Sequence, residues 1–220
     1  MKSIGFLHTS PVHISTFDSL LNETQLSWKT IHRVNEALLA EARQSGITYE
    51  IVNGVKGELS QLQATGADVI VCTCSTLGDI AEALQVGFLV PILRVDRPMA
   101  AKAVETGSPI LMVATLDSTL EPTSLLLEDE AKRQRQEIEQ KPLICTSAWP
   151  FFEKGDMDGY LAAIEETLRQ TIVESESKPA VVLLAQASMA PVADALADLG
   201  LPVLSSPSLC VNYLIGLRQA

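Results

Sequence analysis

The chain is short of basic residues, of aromatic residues and of cysteine. Lys and Arg number 16 against 27 Asp and Glu, a formal net charge of −11. So acidic a surface repels nucleic acid and anionic membranes, and neither is expected as a partner. It does not exclude a small anionic ligand, because one site can be neutral or positive inside an acidic protein. No apolar run reaches the ~18 residues of a transmembrane helix, so no membrane span is expected. The start, Met1-Lys2-Ser3-Ile4-Gly5-Phe6-Leu7, lacks the long apolar region and small-residue cleavage site of a signal peptide and reads as a first strand. With nothing pointing to secretion, the four cysteines (Cys72, Cys74, Cys145 and Cys210) do not suggest a disulfide framework, and a reduced, cytoplasmic protein is expected. Aromatic residues make up 5%, and only Trp149, Phe151 and Phe152 cluster. They suit a loop packed on itself, or one covering a larger apolar substituent. No Gly/Ser- or Pro-rich linker divides the chain.

What the chain has is core-forming residues: 220 in all, 47% hydrophobic, ample for one large domain or two small ones. Short apolar or β-branched runs at 3–7, 48–52, 69–73, 91–95, 110–114, 143–146, 181–185 and 203–204, with a weaker one at 28–31, predict strands. They do not alternate, as expected for strands buried on both faces of a parallel sheet. Helical patterns occupy 35–44, 77–84, 99–105, 119–140, 156–174, 190–196 and 207–217. The first stops at Gly46, a C-cap residue type. Residues 121–140 carry dense charge of both signs, the mark of a solvated helix face. Alternating strands and helices predict an α/β fold.

The chain repeats itself. Val69-Ile70-Val71-Cys72-Thr73-Cys74-Ser75-Thr76 aligns with Val181-Val182-Leu183-Leu184-Ala185-Gln186-Ala187-Ser188, and Ile80-Ala81-Glu82-Ala83-Leu84 with Val192-Ala193-Asp194-Ala195-Leu196. One deletion later, Val90-Pro91-Ile92-Leu93 meets Leu201-Pro202-Val203-Leu204, and Ile4 to Thr9 matches Ile110 to Thr115. Two blocks in the same order indicate an internal duplication. Two such halves usually pack face to face around a cleft, and ligands of open α/β sheets bind beyond the strands' carboxyl ends. Those ends carry His8-Thr9-Ser10, Cys74-Ser75-Thr76, Thr115 with Ser118-Thr119, Thr146-Ser147, and Gln186 with Ser188. Small hydroxyls and helix N-terminal amides suit a carboxylate.

Cys74 stands between a buried strand and a helix. A thiol at a helix N-terminus is expected to ionise more easily, and a thiolate can abstract a weakly acidic Cα proton. Cys72 reads as a filler within the sheet, as do Cys145 and Cys210 elsewhere. A metal is not expected: Cys72 and Cys74 lack the spacing of a structural zinc site, and no His pair supplies the remaining ligands. Arg94 and Arg97 read as partners of Asp96 or as surface residues.

Cys74-Ser75-Thr76, the duplicated second half, and Ala114-Thr115 with Thr119 resemble the aspartate/glutamate/hydantoin racemase superfamily. The stretches Arg94-Val95-Asp96-Arg97-Pro98-Met99 and Ala114-Thr115-Leu116-Asp117-Ser118-Thr119-Leu120 are similar to its less characterised branch. The resemblance implies two pseudo-symmetric α/β lobes, each a short mainly parallel sheet flanked by helices, with the active site in the cleft between them. It implies lobes of 1–97 with 208–220, and 98–207, because the last helix of such proteins crosses back to the first lobe. A possible homodimer is implied as well.

The activity implied is proton transfer without a cofactor at the carbon next to a carboxylate of a small substrate, with one cysteine per lobe. Cys74 takes the first cysteine's position and Gln186 the second's. An amide has no usable pKa, so the two-base mechanism is in doubt. Ser188 or His8 is the candidate for a missing acid; His13 and His32 read as surface or structural. Thr9, Ser10, Ser75, Thr76, Thr115, Ser118, Thr119 and Ser188 are the expected carboxylate ligands. The alternatives are a one-cysteine decarboxylase of arylmalonate type, whose known member carries its cysteine in the other lobe, and a catalytically degenerate carboxylate-binding protein.

Overall fold

The computed structural model describes residues 2–175 and 177–219. In chain order the elements are β1 (Ser3–His8), α1 (Val12–Glu23), β2 (Lys29–Val34), α2 (Glu36–Ser45), α3 (Tyr49–Ala64), β3 (Val69–Cys72), α4 (Ser75–Ala83), β4 (Ile92–Arg94) and α5 (Arg97–Thr106). They continue with β5 (Ile110–Ala114), α6 (Asp117–Gln134), β6 (Gln140–Ile144), α7 (Trp149–Glu153), α8 (Met157–Glu174), β7 (Val181–Leu184), α9 (Val192–Ala195), β8 (Val203–Ser205) and α10 (Ser206–Gln219). Two compact units result, Met1–Arg97 with Pro207–Ala220, and Pro98–Ser206.

Each unit holds one parallel four-stranded sheet, ordered β2-β1-β3-β4 in the first and β6-β5-β7-β8 in the second. The sequence repeat is carried through to single residues. Ile4 pairs with Val69 as Ile110 pairs with Val181, and Ile70 pairs with Ile92 as Val182 pairs with Val203. Thr9 therefore corresponds to Thr115, and Cys74 to Gln186.

The central strands are apolar on both faces because both are covered. In the first unit, Leu7, Ile70 and Cys72 share a core with Leu38, Ile51, Val55 and Leu59 of α2 and α3. Ile4, Phe6, Val69 and Val71 share another with Phe17 of α1 and with Cys210, Val211 and Leu214 of α10. In the second unit, Leu111, Val113, Val182 and Leu184 pack with Tyr160, Ile164 and Leu168 of α8. Space under β1 is tight: a Cβ on Gly5 would lie 3.1 Å from the Ala67 Cβ and 3.2–3.3 Å from Leu62 carbons. Gly5→Ala is therefore expected to cost about 1–3 kcal/mol by overpacking, read as a lower urea midpoint at an unchanged m-value.

Three expectations about elements are corrected. Residues 48–52 do not form a strand: Thr48 caps α3 by accepting a hydrogen bond from the Ile51 amide, and Ile51, Val55, Leu59 and Leu62 form its buried stripe. That helical period outweighs the β-branched start. The helix expected over 119–140 ends at Gln134, where Arg135 turns left-handed (φ 54°), and Gln140 opens β6. Pro142 is tolerated because β6 is an edge strand. Helix α1 was not expected at all; its buried face is only His13, Phe17 and Leu21.

Candidate functional site

In the first unit, β1 and β3 are parallel neighbours, so their carboxyl ends open side by side. Beyond β3 the chain stays extended through Cys74 (φ −106°, ψ 117°) and then enters α4, which makes Cys74 the residue capping that helix. Cys74 is 8% exposed, and its neighbours Ser75 and Thr76 are buried as well. The neutral thiol makes no capping hydrogen bond. Yet the Thr9 hydroxyl, the Leu77 and Thr76 amides and the Thr76 hydroxyl all face the sulfur and favour its thiolate. Burial outweighs them and pushes the thiol above its ordinary value. The expected easy ionisation is thus corrected: in a site closed to water the loss of hydration exceeds what the helix end and hydroxyls return.

Arg94 binds Asp96 through two hydrogen bonds of 2.7 and 3.1 Å, and both are buried. Arg97 pairs with Glu82. Both guanidinium groups therefore serve ion pairs at the edge of α4.

His8 lies at 0% exposure, with Nδ1 2.8 Å from the Thr73 hydroxyl and Nε2 2.9 Å from Nδ1 of His32. His32 Nε2 is 3.1 Å from the Asp18 carboxylate. A carboxylate only accepts, so His32 donates through Nε2. The Thr73 hydroxyl also donates to the Leu7 carbonyl at 3.1 Å, and both ring nitrogens of His8 are engaged. Burial, followed by the neighbouring His13 and His32, pushes His8 down to about 3. His8 as the missing acid is thereby corrected: it is neutral, sealed and engaged at both nitrogens, and acts at most on the Thr73–Cys74 turn. His13, expected at the surface or as structure, is buried in the first turn of α1, 7% exposed.

In the second unit, Gln186 stands where Cys74 stands in the first. Its Oε1 accepts from the Thr115 amide at 2.6 Å and from the Thr115 hydroxyl at 2.8 Å. The amide oxygen thus ties the turn after β7 to the turn after β5. Ser188 is buried, with Oγ 2.8 Å from the Tyr160 hydroxyl. Burial raises Tyr160 to about 12, partly offset by hydrogen bonds with Ser188 and Thr115. Thr119 is buried, and the Ser118 Oγ is buried without a hydrogen-bond partner.

The residues read from the sequence therefore gather in two sets: His8, Thr9, Ser10, Cys74, Ser75 and Thr76 in one unit, and Thr115, Ser118, Thr119, Gln186 and Ser188 in the other. Tyr160 was missed. It opens the apolar row Tyr160, Ile164, Leu168 and Ile172 on α8, and its one signal was that a buried phenol needs a polar partner. Trp149 stacks on Phe152, and Phe152 leans on Tyr160, so this cluster packs within its own unit, while Phe151 stays exposed. Among the described residues no group of three His, Cys, Asp or Glu could hold a metal ion. Nor is any described helix long and apolar enough to cross a membrane.

Residues 30–214 match the family model described as Asp/Glu/Hydantoin racemase. No curated protein is similar enough in sequence to count as a match. Among solved structures, Picrophilus torridus aspartate racemase is 16% identical with a TM-score of 0.71, over 94% of this chain and 90% of its own. A Bacillus anthracis glutamate racemase isoform is 15% identical, TM-score 0.74, over 99% of this chain and 82% of its own. Allantoin racemase from Klebsiella pneumoniae is 15% identical, TM-score 0.64, over 100% of this chain and 88% of its own. At such identities these likenesses speak to the fold.

Proposed function

The chain belongs to the Asp/Glu/hydantoin racemase family, and from that premise we propose that it moves a proton at the carbon next to a carboxylate, on an amino acid or hydantoin-like substrate, with Cys74 as the base. The observation that carries this reading is the Cys74 sulfur at the mouth of β3, faced by the Thr9 and Thr76 hydroxyls and the first amides of α4. The thiolate takes the Cα proton and becomes a thiol, and the electron pair left on carbon delocalises into the carboxylate as an enolate. Hydroxyls of Thr9, Ser10, Ser75 and Thr76 in the first unit are suited to hold the carboxylate oxygens, where the charge builds, and Ser118, Thr119 and Ser188 in the second unit carry hydroxyls of the same kind. Gln186 offers amide N–H donors and no proton to exchange.

The test is a proton NMR time course in D₂O with both enantiomers of aspartate and glutamate and with a 5-substituted hydantoin, followed by chiral analysis. Loss of the Cα–H signal is expected for at least one of them. If none exchanges, the proton-transfer reading fails for these substrates and a carboxylate-binding protein takes its place.

One observation favours a second reading. Gln186 cannot protonate carbon, and its oxygen is committed to Thr115. A reaction needing a single proton donor, decarboxylation of a substituted malonate with Cys74 protonating the carbanion, fits that asymmetry. Release of CO₂ from 2-methyl-2-phenylmalonate, with one enantiomer of 2-phenylpropionate in excess, would select it.

A further inference from the structure

We propose that His13 is a substrate-binding residue whose imidazole hydrogen-bonds the carboxylate of a ligand held at the carboxyl ends of β1 and β3. This rests on the function proposed above for the kind of ligand, and adds a residue to its binding set.

His13 lies one turn beyond the end of β1, after Thr9, Ser10 and Pro11. The Thr73 amide donates to the Leu7 carbonyl at 3.0 Å, which holds the turns after β1 and β3 together. The His13 ring centre is 6.0 Å from that of His8, and His8 contacts Thr73, the residue before Cys74. Thr9, in the same turn as His13, faces the Cys74 sulfur. His13 is thus joined to the turn before the proposed base through His8 and Thr73, and shares the turn after β1 with Thr9.

Its state there is unusual. The residue is 7% exposed, and its Nδ1 is buried with no hydrogen-bond partner. Interior polar atoms almost always have one, and an exception needs a reason. A structural imidazole would have been placed as His8 is, with both nitrogens satisfied. The duplication supplies a comparison. Extending the alignment of Thr9 with Thr115 without a gap sets His13 against Thr119, and both positions are polar and buried.

Two other titratable side chains, His8 and His32, belong to the same aromatic cluster, with Phe6 and Phe17 between them. Burial holds the His13 ring neutral, down to about 4, so it offers one N–H donor and one acceptor. A carboxylate arriving beside it would favour proton uptake.

The chain has three histidines, so ring ¹⁵N signals can be assigned by single substitutions. In the full chain carrying Cys74→Ala, which cannot turn over by the proposed route, L-glutamate, L-aspartate and malonate are titrated while these signals are followed. A saturable shift of the His13 ring is expected. His13→Leu is expected to raise Kd for the bound probe at least about tenfold, the loss of one charge-assisted hydrogen bond. It should keep or raise the thermal midpoint, because it removes the orphaned nitrogen. His13→Asn, a second variant, retains a donor and should recover part of the affinity.

Saturable binding with no shift at His13, an unchanged Kd in both variants, or no binding of any probe would overturn the proposal. Wild-type Cα–H exchange with an unaltered KM in His13→Leu would overturn it while leaving Cys74 as the base. A His13 shift and weakened His13→Leu binding, without exchange by the wild type, would uphold it and overturn the catalytic reading.

Discussion

Replacing Cys74 by alanine is expected to lower Cα–H exchange by about 10²–10⁴-fold, the range spanned by removing a positioned general base. The fold should survive, because the change removes one sulfur atom from a residue that makes no capping hydrogen bond. Cys74→Ser is the sharper variant. It keeps the shape and the surrounding donors but substitutes a hydroxyl that scarcely ionises, so its activity should fall nearly as far. The pH profile gives an independent check. Burial raises the Cys74 thiol despite the four donors facing it, so kcat/KM of the wild type should still be climbing at alkaline pH, where an ordinary thiol has levelled off. Thr9→Val removes one of those donors and should push the rising limb further toward alkali. Exchange that persists in Cys74→Ala, or a profile flat above neutrality, would remove Cys74 from the mechanism.

The second large effect is acid sensitivity. His8 and His13 have folded values of about 3 and about 4 against an ordinary value of 6.5. The unfolded chain therefore binds protons at these two sites at pH values where the folded chain does not. Their stabilising contribution is fully present above pH 6.5 and is lost as pH falls toward the folded values. Between about pH 7.5 and pH 5 the two together should remove about 4 kcal/mol. Most carboxylates remain ionised over that interval, so the loss belongs to the histidines. Urea denaturation at several pH values measures it, and His13→Leu should retain about half. A stability that does not change from pH 7.5 to 5 would mean that the imidazoles are charged in the folded state. Cys72 and Cys210, pushed up to about 12, contribute the opposite limb: their stabilisation is present below the ordinary thiol value and lost as pH rises through it.

The strands were legible because those at the centre of each sheet are buried on both faces. Runs such as Val69-Ile70-Val71 and Val181-Val182-Leu183 can hardly be read otherwise. The repeat was legible for the same reason. Two sheets with one strand order need apolar residues at matching intervals, and Ile92 and Val203 fall at the same register against β3 and β7. Helix α1 was hidden because Pro11, Ser15 and Thr16 interrupt its pattern and three buried side chains define its inner face. Thr48–Val52 misled because β-branched residues at a helix start look like a strand until the stripe from Ile51 to Leu62 is followed.

The sequence by itself determined the α/β class, the duplication, and the hydroxyl-rich turns that end with Cys74 and Gln186. These follow from local pattern: apolar runs, their spacing, and residue types at strand ends. Tertiary structure alone decided what those residues can do. The sulfur of Cys74 is raised rather than lowered because neighbouring elements close it off from water. His8 is sealed because His32, from the next strand, and Thr73, from the turn after β3 65 residues away, take both its nitrogens. His13 is left with an open nitrogen, and Tyr160 reaches Ser188 from another helix. Burial and hydrogen-bond partners depend on contacts between distant segments, and ionisation depends on both. No local pattern encodes such contacts.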